Sequence, residues 1–332
     1  MKLVEFNNVE GDPNSFSGQT ISISENSFLV KSGNFFTSPK INLFTNKEFS
    51  GSFTDTTDSD SFGFSLDIYQ NIFSIGSPSF NSDAGNASLY EKKTASSNWE
   101  IVKNIRNVPG VTKLGESVRV YKNTWVLGAI NIVYIYEKEG KDWPLKQTLA
   151  ISGVFFGSWI SLQNNRMVIS DKKFSTDRGK IYVYEKEDYE WKFKQSFEGS
   201  SPNEEFGRQT ALDGDYFANT GTLGDFTIYK RGRNGFWKSY FYFDSGIAGN
   251  GSLALSKNVL IYGNTGFDSN RGVIYAFKLN ARGNWERFDR IEGEVQGDLY
   301  GDFVSINDNY VSVGAQFFRS NSGKTYFYKI DN

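Results

Sequence analysis

The chain contains no cysteine and no histidine. Disulfides, thiol nucleophiles and thiolate metal sites are therefore outside its chemistry. So are serine–histidine and cysteine–histidine nucleophile systems, and every imidazole–metal site. An enzyme made from this alphabet has to work with carboxylates, tyrosine, lysine or an oxygen-ligated hard cation. Long apolar runs are missing too: no segment reaches transmembrane length, so membrane insertion is not expected. Nor does charge of one sign prevail. Lys+Arg number 36 against 38 Asp+Glu, a net −2. No basic run exceeds Lys92-Lys93 or Lys172-Lys173, so broad attraction for nucleic acid is not expected. The opening residues Met1 to Asn8 lack the apolar core of a secretory signal, which favours the cytoplasm or an assembled particle.

What the chain has is repetition. A turn-forming residue recurs at Gly18, Gly63, Gly115, Gly157, Gly207, Asn250 and Gly301, a period of about 47 residues that marks a repeat architecture. Five positions after each comes an aliphatic residue: Ile23, Ile68, Val120, Leu162, Leu212, Leu255, Ile306. Three positions after it, six of the seven are also apolar, Thr210 being the exception. This alternation reads as a strand. A tight polar turn follows, such as Asp213-Gly214 or Asp308-Asn309, and then a β-prone second segment such as Met167-Val168-Ile169. Gly76, Gly128, Gly263 and Gly314 come thirteen residues after their anchors and read as turn glycines that end this second strand.

A third segment ends on an aromatic residue in every repeat: Phe44, Tyr90, Tyr136, Tyr184, Tyr229, Phe277, Tyr328. A fourth starts at Trp99, Trp143, Trp191, Trp237 or Trp285, with an apolar residue six positions on. Those five tryptophans read as packing residues of an outer strand. The last repeat lacks its fourth segment, and residues 2–10, with Leu3 and Val9 at the same six-residue spacing, can supply it. Pairing them with the final segment removes an exposed sheet edge and closes a ring. The expected fold is all-β: one seven-bladed β-propeller over residues 1–332, with residues 2–10 completing the blade formed by 299–330. An aromatic content of 17% suits the wedges between such blades.

The wording of the repeats resembles a known family. Phe62-Gly63, Phe156-Gly157, Phe206-Gly207 and Tyr300-Gly301, followed by Gly76-Ser77-Pro78 or Gly314-Ala315-Gln316, look like FG-GAP repeats. The elements from Gly179 to Tyr184 and from Trp191 to Phe197 are similar as well. The resemblance spans essentially the full chain, although each motif is degenerate. It implies the seven-bladed propeller of integrin α heads and related microbial proteins. Calcium loops of the Asp-x-Asp-x-Asp-Gly type common in that family do not occur in the short first turns here, so no metal site or cofactor is expected. Asp55, Asp58 and Asp60 form a looser acidic segment that reads as a weak cation site or as a solvated linker.

The strongest functional signal lies in the loops between second and third strands. Four of them are long and carry Phe80, Phe174, Phe267 and Phe318 at one register, and repeat 1 keeps the slot at Phe35. Three residues later come Asp83, Asp177, Asn270 and Asn321, each two before a glycine. These eight are the candidate ligand-binding residues, since an aromatic ring beside a carboxylate or carboxamide suits a sugar or peptide. The same register also fits a ring tucked between blades and a polar cap on a turn. The long loops share one face with the connections between blades, and function gathers on loops held by a rigid scaffold. The expected function is non-enzymatic: a binding or assembly module offering this face to a protein or glycan, as part of a larger particle or cell surface. Two alternatives are a carboxylate-dependent glycan enzyme, for which Asp83, Asp171 and Asp177 are available, and a multivalent lectin with equivalent pockets between blades.

Overall fold

A computed structural model describes residues 1–33, 39–46, 48–55, 61–94, 97–151 and 155–331. Seven antiparallel four-stranded sheets stand around a central channel, and six of them run in simple sequence order from inside to outside. The innermost strands are Ile21–Ser24, Ser65–Tyr69, Ser117–Tyr121, Trp159–Gln163, Gln209–Asp213, Gly251–Ser256 and Val304–Ile306, which begin blades 1 to 7. Blade 7 takes its outer strand from the N-terminus. Lys2–Glu10 pairs antiparallel with Lys324–Asp331, setting Leu3 opposite Ile330 and Val9 opposite Thr325. This is the closure expected from the spacing of Leu3 and Val9.

The six-residue spacing on the outer strands has a physical cause. In every blade the register between third and fourth strands slips beside the terminal aromatic residue, as at Leu89/Tyr90, Val183/Tyr184 and Glu5/Asn7. One extra residue on the outer strand forms a bulge, so six residues there span five on the partner. The aromatic residues at this position are all buried, from Phe44 to Tyr328. In blades 2 and 5 they stack on a second-strand ring that also meets the outer tryptophan. Phe217 and Tyr229 lie parallel at 4.6 Å with Trp237 at 4.9 Å, and Phe73, Tyr90 and Trp99 repeat the arrangement. Trp143, Trp191, Trp237 and Trp285 are buried, in keeping with a packing role.

One reading of the glycines needs correcting. Gly76, Gly128, Gly263 and Gly314 do not end their strands at a turn; they lie inside them. Their importance is to the neighbouring blade. A Cβ on Gly128 would come within 2.2 Å of the Gly157 carbonyl oxygen, and one on Gly263 within 2.1 Å of that of Gly301. The anchors themselves turn with positive φ, 87° at Gly115 and 99° at Gly157, a region that favours glycine. At these four seams the contact beside the channel is thus backbone against backbone.

Side chains at the turn end of the inner strands then tie each blade to the next. Asn307 donates to the Glu25 carbonyl at 2.6 Å, Gln70 N–H to Ser24 at 2.9 Å, and Val120 N–H to Asp67 at 2.7 Å. Lys122 donates to Asn164 at 3.0 Å, Gly214 N–H to Gln163 at 2.5 Å and Lys257 N–H to Asp213 at 2.7 Å. Ser256 to Asp308, at 3.2 Å, completes all seven junctions. The channel is therefore ringed by hydrogen bonds between blades.

Candidate functional site

The candidate residues on the long loops occupy four separate blades. In blades 2, 4 and 6 the Phe is followed by three residues in the left-handed region: Asn81, Ser82 and Asp83 at φ 48°, 55° and 71°, and likewise Ser175–Asp177 and Asp268–Asn270. Blade 7 has Arg319 and Asn321 at φ 34° and 61°. Most L-residues resist this conformation, whereas short polar side chains tolerate it. That explains Asp or Asn as the third of these residues. The glycine two positions later closes the turn by donating to the Phe carbonyl, at 3.0 Å for Gly85 and 3.1 Å for Gly179, Gly272 and Gly323.

These turns also hold the chain entering the next blade. The carbonyls of Asp83, Asp177, Asn270 and Asn321 accept from the N–H of Lys113, Glu205, Leu299 and Phe16, at 2.7 to 3.0 Å. Asp83 adds a 2.6 Å ion pair with Lys113, which holds its carboxyl below the usual range. The rings pack inward under cations: Phe174 beneath Lys180 at 4.7 Å, Phe267 beneath Arg290 at 4.6 Å and Phe318 beneath Lys324 at 4.8 Å. Phe318 is fully buried, and Phe80 is half-buried. The structure thus gives these residues bonds within and between blades, and it does not bring them into either channel cavity. Asp171 is buried and accepts from Phe155 N–H at 2.9 Å. Phe35, Asp58 and Asp60 lie outside the described residues.

Other side chains remain exposed on this face. Phe64, Phe155 and Phe317 keep 48%, 36% and 38% of their surface, and Leu223 and Val295 are exposed on neighbouring loops. Sequence reasoning passed over them. The available signal was the doublets Phe155-Phe156 and Phe317-Phe318, in which the repeat register requires only the second ring. Around Phe64 lies a small chamber of about 120 Å³, lined also by Glu116, Lys172 and Arg208.

The channel is divided. Arg119 lies against the Trp159 ring at 4.7 Å, and Trp159 lies 6.2 Å from Phe303. These three residues border both the small chamber on the loop side and a larger one of about 780 Å³ that extends to the hairpin turns. Trp159 is fixed by donating Nε1–H to the Thr210 carbonyl at 2.9 Å. Asp67 faces the larger chamber. Burial pushes its carboxyl up to about 6, although Arg119 and the hydrogen bonds from Val120 and Ser22 oppose the shift. Burial likewise lowers the Arg119 pKa. Asp302, on the loop side, is pushed up to about 6 by burial while Arg208 opposes the rise.

Sequence reasoning missed this constellation, and a signal for it existed. Four positions after the anchors the chain reads Ser22, Asp67, Arg119, Ser161, Ala211, Ala254 and Ser305. Two charges in a register of small residues mark the channel wall.

Searches of protein-family models and of curated proteins return no match for this chain. What is established is the class, a seven-bladed β-propeller closed by its own N-terminal strand. Among the described residues, no helix is long and apolar enough to cross a membrane.

Proposed function

We propose that this propeller is a non-enzymatic binding or assembly module that docks a protein partner on its loop-rich face, as a rigid disc within a larger particle or cell surface. The observation that carries the reading is the set of exposed apolar side chains there, Phe64, Phe155, Leu223, Val295 and Phe317. Exposed aromatic rings among polar neighbours are the usual material of interface anchors. The FG-GAP-like wording of the repeats is in keeping with an adhesive role, as an analogy of fold.

Three acids of the larger chamber, Asp67, Asp213 and Asp308, support binding over catalysis. Asp67 accepts from Ser22 and Val120, Asp213 from Gln163 and Lys257 N–H, and Asp308 from Ser256 and Lys257. Both oxygens of each are committed to bonds between blades. A glycosidase pair needs one acid and one base free to exchange protons with substrate.

The test is capture of a partner from the native source by the tagged protein, compared with the Phe64→Ser/Phe155→Ser double variant. The partner should be lost while the melting temperature stays within about 2 °C of wild type, since surface substitutions change stability little. Phe174→Ala and Phe267→Ala should do the reverse, lowering stability while capture survives. Equal capture by the double variant and the wild type would overturn the proposal.

A further inference from the structure

At the rim, blades 4 and 5 set opposite charges side by side. Blade 4 turns from its third to its fourth strand through residues 185–190, Glu-Lys-Glu-Asp-Tyr-Glu, where four acids against one lysine leave −3. The matching turn of blade 5, residues 230–238, carries Lys230, Arg231, Arg233 and Lys238 with no acid, which gives +4. The two turns belong to adjoining blades: Arg231 bonds Glu185 at 2.7 Å, and Trp237 N–H donates to Gln195 at 2.9 Å. Toward the tips the charges stay uncompensated. Arg233, Lys238 and Glu190 form no ion pair among the described residues. Asp188 reaches Lys192 at 3.4 Å while its side chain remains 92% exposed.

Aromatic rings crown the same two turns. Tyr189 is the most exposed large hydrophobic side chain among the described residues. It forms a two-residue hairpin turn with Asp188, at φ 69° and 50°. Such turns favour Asn-Gly or Asp-Gly, because a bulky L-residue is strained in that region. A tyrosine that is at once strained and bare costs its own chain stability, and strain held at a surface points to a contact beyond the chain. Phe193 on blade 4 is also exposed, as are Phe236 and Tyr240 on blade 5. Aromatic anchors among charged neighbours are the usual material of an interface.

A patch that is acidic and aromatic on one half, basic and aromatic on the other, is complementary to its own copy after a half-turn. We infer that two copies of this chain associate about a two-fold axis at the seam of blades 4 and 5. Residues 188–190 of each copy lie against residues 233–238 of the other, and the symmetry makes both contacts at once. Charge complementarity fixes the orientation, and the exposed rings supply the burial. These turns lie on the side opposite the long loops, so both loop faces stay open. The inference is therefore independent of the docking proposed for that face.

The experiment is sedimentation equilibrium of the full-length protein from ~1 to ~500 µM, in about 50 mM and about 500 mM sodium chloride. At low salt the average mass should climb from one chain toward two, and high salt should weaken the association at least ~10-fold. Arg233→Glu and Asp188→Lys should each weaken it at least ~10-fold, since each change acts at two contacts. An equimolar mixture of those two variants should recover association, because one contact is then native and the other is charge-swapped. Tyr189→Gly should weaken association without lowering the melting temperature, since glycine adopts positive φ freely. Should a variant fail to fold, the salt dependence of the wild type still decides. A wild type that remains a single chain at ~500 µM in low salt would overturn the inference and leave the patch to a different protein. Association indifferent to salt or to Tyr189→Gly would also overturn it, as would a mixture that stays as weak as its two components.

Discussion

The seams between blades 2 and 5 and the seam between blades 5 and 6 solve one geometric problem with different chemistry. In the first arc, third strands are joined by ion pairs at a single register: Lys138 with Glu91, Lys186 with Glu137, and Arg231 with Glu185. Arg231 grips Glu185 with two bonds, at 2.7 and 3.0 Å. The outer strands add reciprocal amide clamps. Gln147 both donates to and accepts from the Trp191 backbone, and Gln195 does the same with Trp237. At the next seam the ion-pair register stops, and rings take over. Phe226 lies 5.1 to 5.4 Å from Phe243, Tyr262 and Phe277. The lesson begins at the second strands: Gly76 and Gly128 let neighbouring backbones touch at the seams of blades 2–3 and 3–4, whereas Thr220 takes that place at the seam of blades 5 and 6, against Gly251. The space left between blades is then filled by whatever side chains fit its width. A polar seam specifies which blade neighbours which through directional bonds; an aromatic seam supplies burial without such direction.

The contrast can be broken at several points. Truncating Phe226 to Ala should have the largest effect, about 3–5 kcal/mol of stability, as expected for an aromatic residue removed from a closed core. Chemical unfolding in low and high salt should give the same loss. A salt-dependent loss would mean that charges also hold the aromatic seam.

The next effect is one of pH, at the seam between blades 2 and 3. Burial raises the Asp67 carboxyl to about 6, above the ordinary aspartate value of 3.8. A carboxyl raised in this way binds its proton more tightly when folded, so its contribution is fully present below about pH 4 and is lost as pH rises through 6. Asp67→Asn should remove that share of the pH slope. Relative to wild type the variant should gain on the order of 1–2 kcal/mol between pH 4 and 7, after allowance for solvent screening. Melting curves at a series of pH values read this directly; parallel curves for the two proteins would contradict it.

The smallest effect belongs to the ion pairs. Lys186→Met should cost about 1 kcal/mol at low salt and less at high salt, because the pair is only partly shielded from solvent. If it equals the Phe226 truncation, the two seams are not different in kind.

How much of this was legible beforehand follows from how local each cause is. The anchors, the terminal aromatics and the outer tryptophans recur at fixed spacing because each blade repeats one local solution. The ring closure could be read because Leu3 and Val9 carry the bulge spacing into an otherwise missing strand. The role of Gly128 was misread because the atom that excludes a side chain, the Gly157 carbonyl oxygen, belongs to the next blade. The Phe–Asp/Asn register could be read as a repeated pattern, but not the amides its carbonyls accept from, which lie some thirty residues on, as Lys113 does from Asp83. Arg119 and Asp67 escaped notice because each is a single departure from the repeat, visible only after the seven registers are superposed.

The strand Lys2–Glu10 also donates from Leu3 N–H to Asp289 of blade 6 at 2.7 Å, so it is fastened to two blades without a covalent link to either. The point at which the polypeptide is interrupted is thereby separable from the architecture. A circular permutant with the old termini joined and new ones opened at another hairpin should rebuild the same disc, with the clasp moved to a different blade.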